Sequence, residues 1–250
     1  MERTIIVTGA GSAGGIGQAV ARRLVAAGDR VAIVDLDGEG AVRNAESMTG
    51  LAGYARGFAC DVSSRAAVMA TAAEIEGALG AAWGLVNCAA GGPYGPPESF
   101  TEDEWRRGFD ILVGGTLWWC QAVFPAMKAR GAGRIVNFGS EVSDEPTDSV
   151  SLNYVAAKGA VRSLTRGLAR QWGRYGITVN TMWPVAATDA QQAWARAFPD
   201  EAQEMIDGTA LGRMGTPLDD IAPVVEFLLG DGAQFMSGAT VPVNGGRAMP

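Results

Sequence analysis

A short apolar run, residues 4–7, opens without a spacer into Thr8-Gly9-Ala10-Gly11-Ser12-Ala13-Gly14-Gly15-Ile16-Gly17, and a helix-forming stretch, 18–27, follows at once. Few folds accommodate that succession. Glycine lets backbone turn sharply and come close to a ligand, and a helix starting on such a turn directs its free N–H groups at an anion. Strand before and helix after mark such a turn as a phosphate cradle rather than a plain bend. The reading sets Gly9, Gly11, Ser12, Gly15, Ile16 and Gly17 against the pyrophosphate of a dinucleotide.

The rhythm repeats along the chain. Strand-length runs fall at 4–7, 30–34, 53–59, 84–87, 134–138, 178–182 and 240–243, and amphipathic helical patterns at 18–27, 65–79, 102–128, 154–175 and 218–229. Strand–helix alternation of this kind predicts an α/β fold: one doubly wound, parallel, seven-stranded sheet of the Rossmann type with helices on both faces. Right-handed crossovers then bring the strands' C-terminal ends to one edge, where ligands bind. No repeat, low-complexity tract or linker interrupts residues 1–250, so a single domain is expected, and 35 glycines with 48% hydrophobic residues suit a buried parallel sheet. The interval 184–215 is longer than an ordinary connection and holds a helical pattern at 189–207. It reads as a lid over the ligand edge or as a surface helix packed on the body.

Asp35 stands at the end of the second strand, eighteen residues after Gly17. A carboxylate there accepts hydrogen bonds from both ribose hydroxyls of NAD and repels a 2′-phosphate. No Arg or Lys occurs in the glycine loop or after Asp35 until Arg43, so NAD rather than NADP is expected. Further on, Tyr154 and Lys158 are four residues apart. On a helix that spacing puts the ammonium about 5–6 Å from the phenol. A free phenol titrates near pH ~10, and a fixed cation beside it favours phenolate, making a group that can exchange protons with a substrate.

Composition removes other classes. Acids outnumber bases 27 to 20, for a net charge of −7, and Lys occurs only at 128 and 158, so no basic face for nucleic acid is expected. Histidine is absent, which removes imidazole triads and imidazole metal sites, and no metal is expected. Cys60, Cys88 and Cys120 lack ligand spacing and read as thiols in a reducing cytoplasm. The start carries no signal-peptide core, and no apolar stretch nears the roughly 20 residues of a membrane span. A cytoplasmic protein acting on a small molecule is expected.

With these motifs in order, nearly the whole chain resembles the short-chain dehydrogenases/reductases in their compact form. The family's Thr-Gly-x-x-x-Gly-x-Gly loop is matched by Thr8, Gly9, Gly15 and Gly17, with two extra residues between Gly9 and Gly15. Its adenine-contacting pair corresponds to Asp61-Val62, and its Asn-Asn-Ala-Gly stretch to Asn87-Cys88-Ala89-Ala90, with Gly91-Gly92 following. The segment from Asn180 through Pro184 and Val185 to Thr188 resembles the one bracketing nicotinamide, and Leu211–Gly215, Asp220-Ile221-Ala222 and Val243-Asn244-Gly245-Gly246 resemble the family's last third. The resemblance implies hydride transfer between nicotinamide and a secondary alcohol or ketone. It implies that Ser140, fourteen residues before Tyr154, orients the substrate oxygen, that Tyr154 exchanges its proton, and that Lys158 holds the phenolate and the nicotinamide ribose. Ser143 is an alternative hydroxyl. A homotetramer or homodimer is also implied.

One departure stands out. Where the family carries a helix-kinking Asn whose carbonyl holds a water leading to the Lys, alignment on Trp105 and Gly115 places Leu112. Either the relay survives through backbone, or Gly108, Gly114 or Gly115 supplies the bend, or proton exchange is slow. A dinucleotide-binding scaffold or sensor, and lyase or epimerase chemistry on the same site, are the alternatives. For the substrate pocket the reading nominates Trp183, Trp194, Tyr94 and Ser140, with a mostly apolar substrate; Trp118, Trp119 and Trp172 are assigned to interface or core.

Overall fold

The computed structural model describes residues 3–147 and 150–249. Seven strands among them lie in the order β3-β2-β1-β4-β5-β6-β7, each neighbouring pair parallel. They are β1 Thr4–Thr8, β2 Arg30–Asp35, β3 Tyr54–Ala59, β4 Gly84–Asn87, β5 Gly133–Phe138, β6 Ile177–Pro184 and β7 Thr240–Val243. The predicted runs become these strands with ends moved by at most two residues. The helices are α1 Ile16–Ala26, α2 Gly38–Glu46, α3 Arg65–Leu79, α4 Glu102–Phe109, α5 Gly115–Arg130, α6 Leu152–Trp172, α7 Asp189–Ala197, α8 Pro199–Asp207 and α9 Ala222–Leu229.

Alternation along the strands divides the core in two. Ile5, Val7, Val31, Ile33 and Val136 point to one face, where they pack with Leu24 of α1 and Val225 and Leu228 of α9. Ile6, Ala32, Leu85, Ile135 and Val179 point to the other, against Ile75 of α3, Trp119 and Met127 of α5, and Leu168 of α6. This two-sided burial is why the strands read as continuous apolar runs. Strand order reverses between β1 and β4, and the chain binds itself across that switch point: the Thr8 hydroxyl accepts hydrogen bonds from Cys88 N and Ala89 N, both at 3.2 Å. Gly9 (φ 67°) is pressed so close that a methyl group on it would lie 2.5 Å from the Ala89 Cα. A crevice at this reversal is where doubly wound sheets take ligands.

The predicted 218–229 helix opens as a π-turn at Pro217–Ile221 before α9, and two others are broken outright. The 102–128 pattern starts on a capping box in which Thr101 and Glu104 satisfy each other's backbone N–H groups, then opens into a π-turn at Asp110–Gly114 before α5. Gly115 lies so near Val62 that an added Cβ would sit 3.0 Å from it, so the widened turn delivers α5 onto the segment after β3. The 189–207 pattern divides at Phe198, because Pro199 has no N–H to continue α7 but suits the first turn of a new helix. Among the described residues no helix is long and apolar enough to cross a membrane.

Candidate functional site

The glycine loop, the end of β2 and the segments after β3 and β4 enclose a cavity of about 390 Å³ lined by Gly9, Asp35, Leu36, Asp61, Val62, Ala89, Arg107 and Ile111 among others. A side chain at Gly17 would meet the Gly9 carbonyl oxygen at 2.4 Å, so α1 can begin against the loop only with glycine there. The two extra loop residues run outward through Ser12 and Ala13, turn on a Gly15 N to Ser12 O bond of 3.3 Å, and bring Gly14 against the start of α7. The Asp189 carboxylate occupies the position a Gly14 side chain would take. Gly15 caps α1, and Ile16 packs into the core beneath.

Asp35 is partly engaged by the loop itself. Its Oδ2 accepts from Gly11 N at 2.8 Å and its Oδ1 from Asp37 N at 3.0 Å. Each carboxylate oxygen retains acceptor capacity, so the residue both fixes the loop and faces the cavity. Asp61 accepts from Ser63 N and Oγ, at 2.9 and 2.6 Å, and the Ser63 side-chain bond holds its carboxyl below the usual range. Asn87 departs from expectation. Its side chain is buried and donates to Asn137 Oδ1 at 2.9 Å, because parallel pairing of β4 with β5 sets these two amides side by side, so the side chain is used inside the sheet. Pro184 ends β6. Val185 pairs its backbone with Val243 and Gly215 and borders a different cavity, near Asn244 and Met249. The Thr188 hydroxyl caps α7, accepting from Gln191 N at 3.1 Å.

The three residues nominated for chemistry converge. Gly139 N donates to Met182 O at 2.9 Å, and Ser140 continues in extended conformation past the strand before a short turn at Glu141–Ser143. Its hydroxyl faces the Tyr154 phenol in the first turn of α6, near enough to lower the phenol's titration. Ser143 faces the other way, its hydroxyl donating to the Ser140 carbonyl at 2.8 Å, so of the two candidate serines Ser140 meets the tyrosine and Ser143 braces the turn. One helical turn beyond Tyr154, Lys158 is buried; its Nζ lies 5.4 Å from the Tyr154 ring centre and donates to Phe138 O at 2.6 Å.

Electrostatics here differ from the sequence expectation. Burial pushes the Lys158 ammonium down to about 8. Burial also raises the Tyr154 phenol above its usual range, while the nearby Ser140 hydroxyl draws it partly back and Cys88 adds to the rise. The cation alone does not acidify the phenol, because its own desolvation and its bond to Phe138 O weaken it. Burial pushes the Cys88 thiol up to about 12, so it stays protonated.

A second cavity, about 260 Å³, opens beside the phenol between Gly91, Pro93, Tyr94, Leu112, Val150 and Tyr154, and shares the Gly91–Pro93 wall with the first. Leu112 therefore lines this pocket. The bend that the family draws from an Asn is present without one, in the π-turn, and the Leu112 carbonyl accepts from the Thr116 hydroxyl at 2.7 Å. Tyr94 is largely exposed at the mouth. Trp183 is corrected: it is 1% exposed, wedged against Gly139 with the Arg162 guanidinium 5.1 Å from its ring, and has no surface to offer a ligand. Trp194 is half-buried against Phe198 and borders neither cavity. Trp119 is core, while Trp172 stacks on Phe124 and Trp118 lies under Arg65. Sequence reading missed Leu36, Arg107 and Ile111 in the first cavity; the only signal was the four-residue spacing of the last two on one helical face.

The family model described as enoyl-(acyl carrier protein) reductase matches residues 9–248. The chain is 36% identical over 246 residues to a D-threitol dehydrogenase of Mycolicibacterium smegmatis, covering 98% of this chain and 92% of that one. A structure of a short-chain type dehydrogenase/reductase from Mycobacterium ulcerans superposes with a TM-score of 0.91 at 29% identity, over 99% of this chain and 90% of the other. A structure of NAD+-bound xylitol dehydrogenase gives 0.89 at 30% identity, over 98% of both chains.

Proposed function

The chain belongs to the short-chain dehydrogenase/reductase family, and from that premise we propose that it is an NAD-dependent oxidoreductase interconverting a secondary alcohol and its ketone. The observation that carries this reading is the meeting of Ser140 and Lys158 with Tyr154, whose phenol lines a cavity that adjoins the glycine-loop cavity. The residues present fit a dinucleotide: a loop too close-packed for side chains at Gly9 and Gly17, a helix N-terminus behind it, and an acidic strand end at Asp35. Bound nicotinamide would accept or supply the hydride. Ser140 orients the substrate oxygen, and Tyr154 takes the hydroxyl proton in oxidation or returns it in reduction. Lys158, one turn away, would stabilise the phenolate form and hold the nicotinamide ribose.

Tyr94, Leu112 and Val150 support a mostly apolar substrate flank, while threitol and xylitol are the substrates named for two relatives. NADH fluorescence across a panel of acyclic polyols, cyclic secondary alcohols and the matching ketones tests the reading. Turnover on members of the panel is expected; tight NADH binding with none would favour a sensor. Homotetramer or homodimer formation, and a cytoplasmic location suited to three free thiols, belong to the same proposal.

The choice of NAD is read from Asp35. Leu36 follows it, exposed at the same cavity. Asp35→Ser with Leu36→Arg removes the charge that repels a 2′-phosphate, adds one that attracts it, and keeps an acceptor for Gly11 N. The ratio of kcat/KM for NADP over NAD is expected to rise about a hundredfold or more, equivalent to about 2.7 kcal/mol. An unchanged ratio would count against the ribose contact.

A further inference from the structure

We propose that Glu141 is a positioning residue for Ser140, and that it acts by being keyed to the C-terminal turn at 244–248 through Arg247 and Asn244. This rests on the reading of Ser140 and Tyr154 given above. Glu141 directly follows Ser140 yet is only 4% exposed. Both of its carboxylate oxygens are taken by residues about a hundred positions away: Oε1 pairs with Arg247 Nη1, and Oε2 accepts from Asn244 Nδ2 at 2.7 Å. A carboxylate is stable at that depth only with such partners. The peptide carrying Ser140 is therefore held where the C-terminal turn places it.

The turn is itself rigid. Asn244 Nδ2 also donates to Ala248 O at 2.9 Å, and Asn244 Oδ1 accepts from Gly246 N at 3.1 Å. Its far side packs on the segment after α8, where Leu211 N donates to Gly245 O at 3.1 Å and a side chain at Gly246 would meet the Ala210 Cβ at 2.9 Å. The anchor thus runs from the 208–211 segment through the turn to Glu141 and Ser140. On the other flank Ser143 holds the Ser140 carbonyl, and Asp144 pairs with Arg162 of α6. Neither of those contacts reaches the C-terminal turn.

Loosening the anchor should carry the Ser140 hydroxyl away from the Tyr154 phenol. Its nearness lowers the phenol's titration, so its loss has a signature that plain destabilisation lacks. The titratable groups facing the phenol are Lys158 on its own helix and Cys88 from the segment after β4, and neither is altered by the test. The test variant is Glu141→Gln/Arg247→Met, which removes both charges together and leaves no unpaired buried ion. Ultraviolet phenolate absorbance, taken as the difference between each protein and its Tyr154→Phe counterpart, reports Tyr154 without turnover. In the folded variant Tyr154 should titrate at least about half a pH unit higher, kcat should fall about tenfold or more, and KM for NAD should stay within about twofold. Glu141→Gln alone serves if the pair variant does not fold. A folded variant with wild-type titration and kcat would overturn the proposal, as would a lowered melting temperature with both unchanged. Wild-type protein that oxidises no alcohol would sink the oxidoreductase reading but leave the absorbance arm readable.

Discussion

Tyr154→Phe is expected to lower kcat by about a hundred- to ten-thousandfold, the span associated with losing a positioned general acid–base, while NADH affinity stays within about twofold. The substitution deletes one oxygen and keeps the ring that walls the smaller cavity beside Leu112 and Val150. What disappears is the proton carrier and the neighbour of the Ser140 hydroxyl. Because burial holds the phenol above its ordinary range in the ligand-free protein, wild-type oxidation should climb with pH as the phenolate fraction grows, and a bound, positively charged nicotinamide should move that rise toward neutrality. The variant's residual rate should lack the rise. Steady-state rates against pH, with NADH fluorescence titration alongside, check both arms; activity within tenfold of wild type would remove Tyr154 from its role.

Much of this site could be read before any coordinates, and the failures share a cause. The strands were legible because burial on both faces writes Val, Ile and Leu into consecutive positions, as in Val31–Val34. Tyr154 and Lys158 were legible because a helical turn is a fixed distance in sequence. Contacts between distant segments leave no such mark. Asn87 looked like a ligand contact until β5 set Asn137 beside it. Trp183 looked like a pocket wall until Gly139 and Arg162 closed around it. A bend near Gly114 and Gly115 was among the sequence's alternatives, but its form, a π-turn at Asp110–Gly114 with Gly115 against Val62, depends on a contact with a distant segment. Glu141 was the best hidden: a charged residue in a loop reads as solvated, and its partners lie beyond position 240.

Lys158→Met should separate stability from function in opposite directions. In the folded protein burial pushes the ammonium down to about 8, whereas in the unfolded chain it titrates at the ordinary 10.5. Below pH 8 the fold must therefore carry a charge that burial disfavours. Between 8 and 10.5 the unfolded state binds more protons, so stability rises with pH, and above 10.5 the cost is gone. At about 1.4 kcal/mol per unit the charge costs about 3 kcal/mol at pH 7. Methionine matches the stem's volume but leaves Phe138 O without its 2.6 Å donor, a loss of about 1–2 kcal/mol. The balance is a gain of about 1–2 kcal/mol, or a few degrees in Tm for a chain of this length. That gain should vanish or reverse near pH 10.5, while kcat falls about a hundredfold or more at every pH with the loss of the cation beside the phenol. Melting curves of both proteins from pH 6 to 10.5 decide it. A variant less stable than wild type at pH 7, or a difference that does not change with pH, would mean that the buried amine is satisfied where it stands and that its cost to the fold is not what the proposed chemistry draws on.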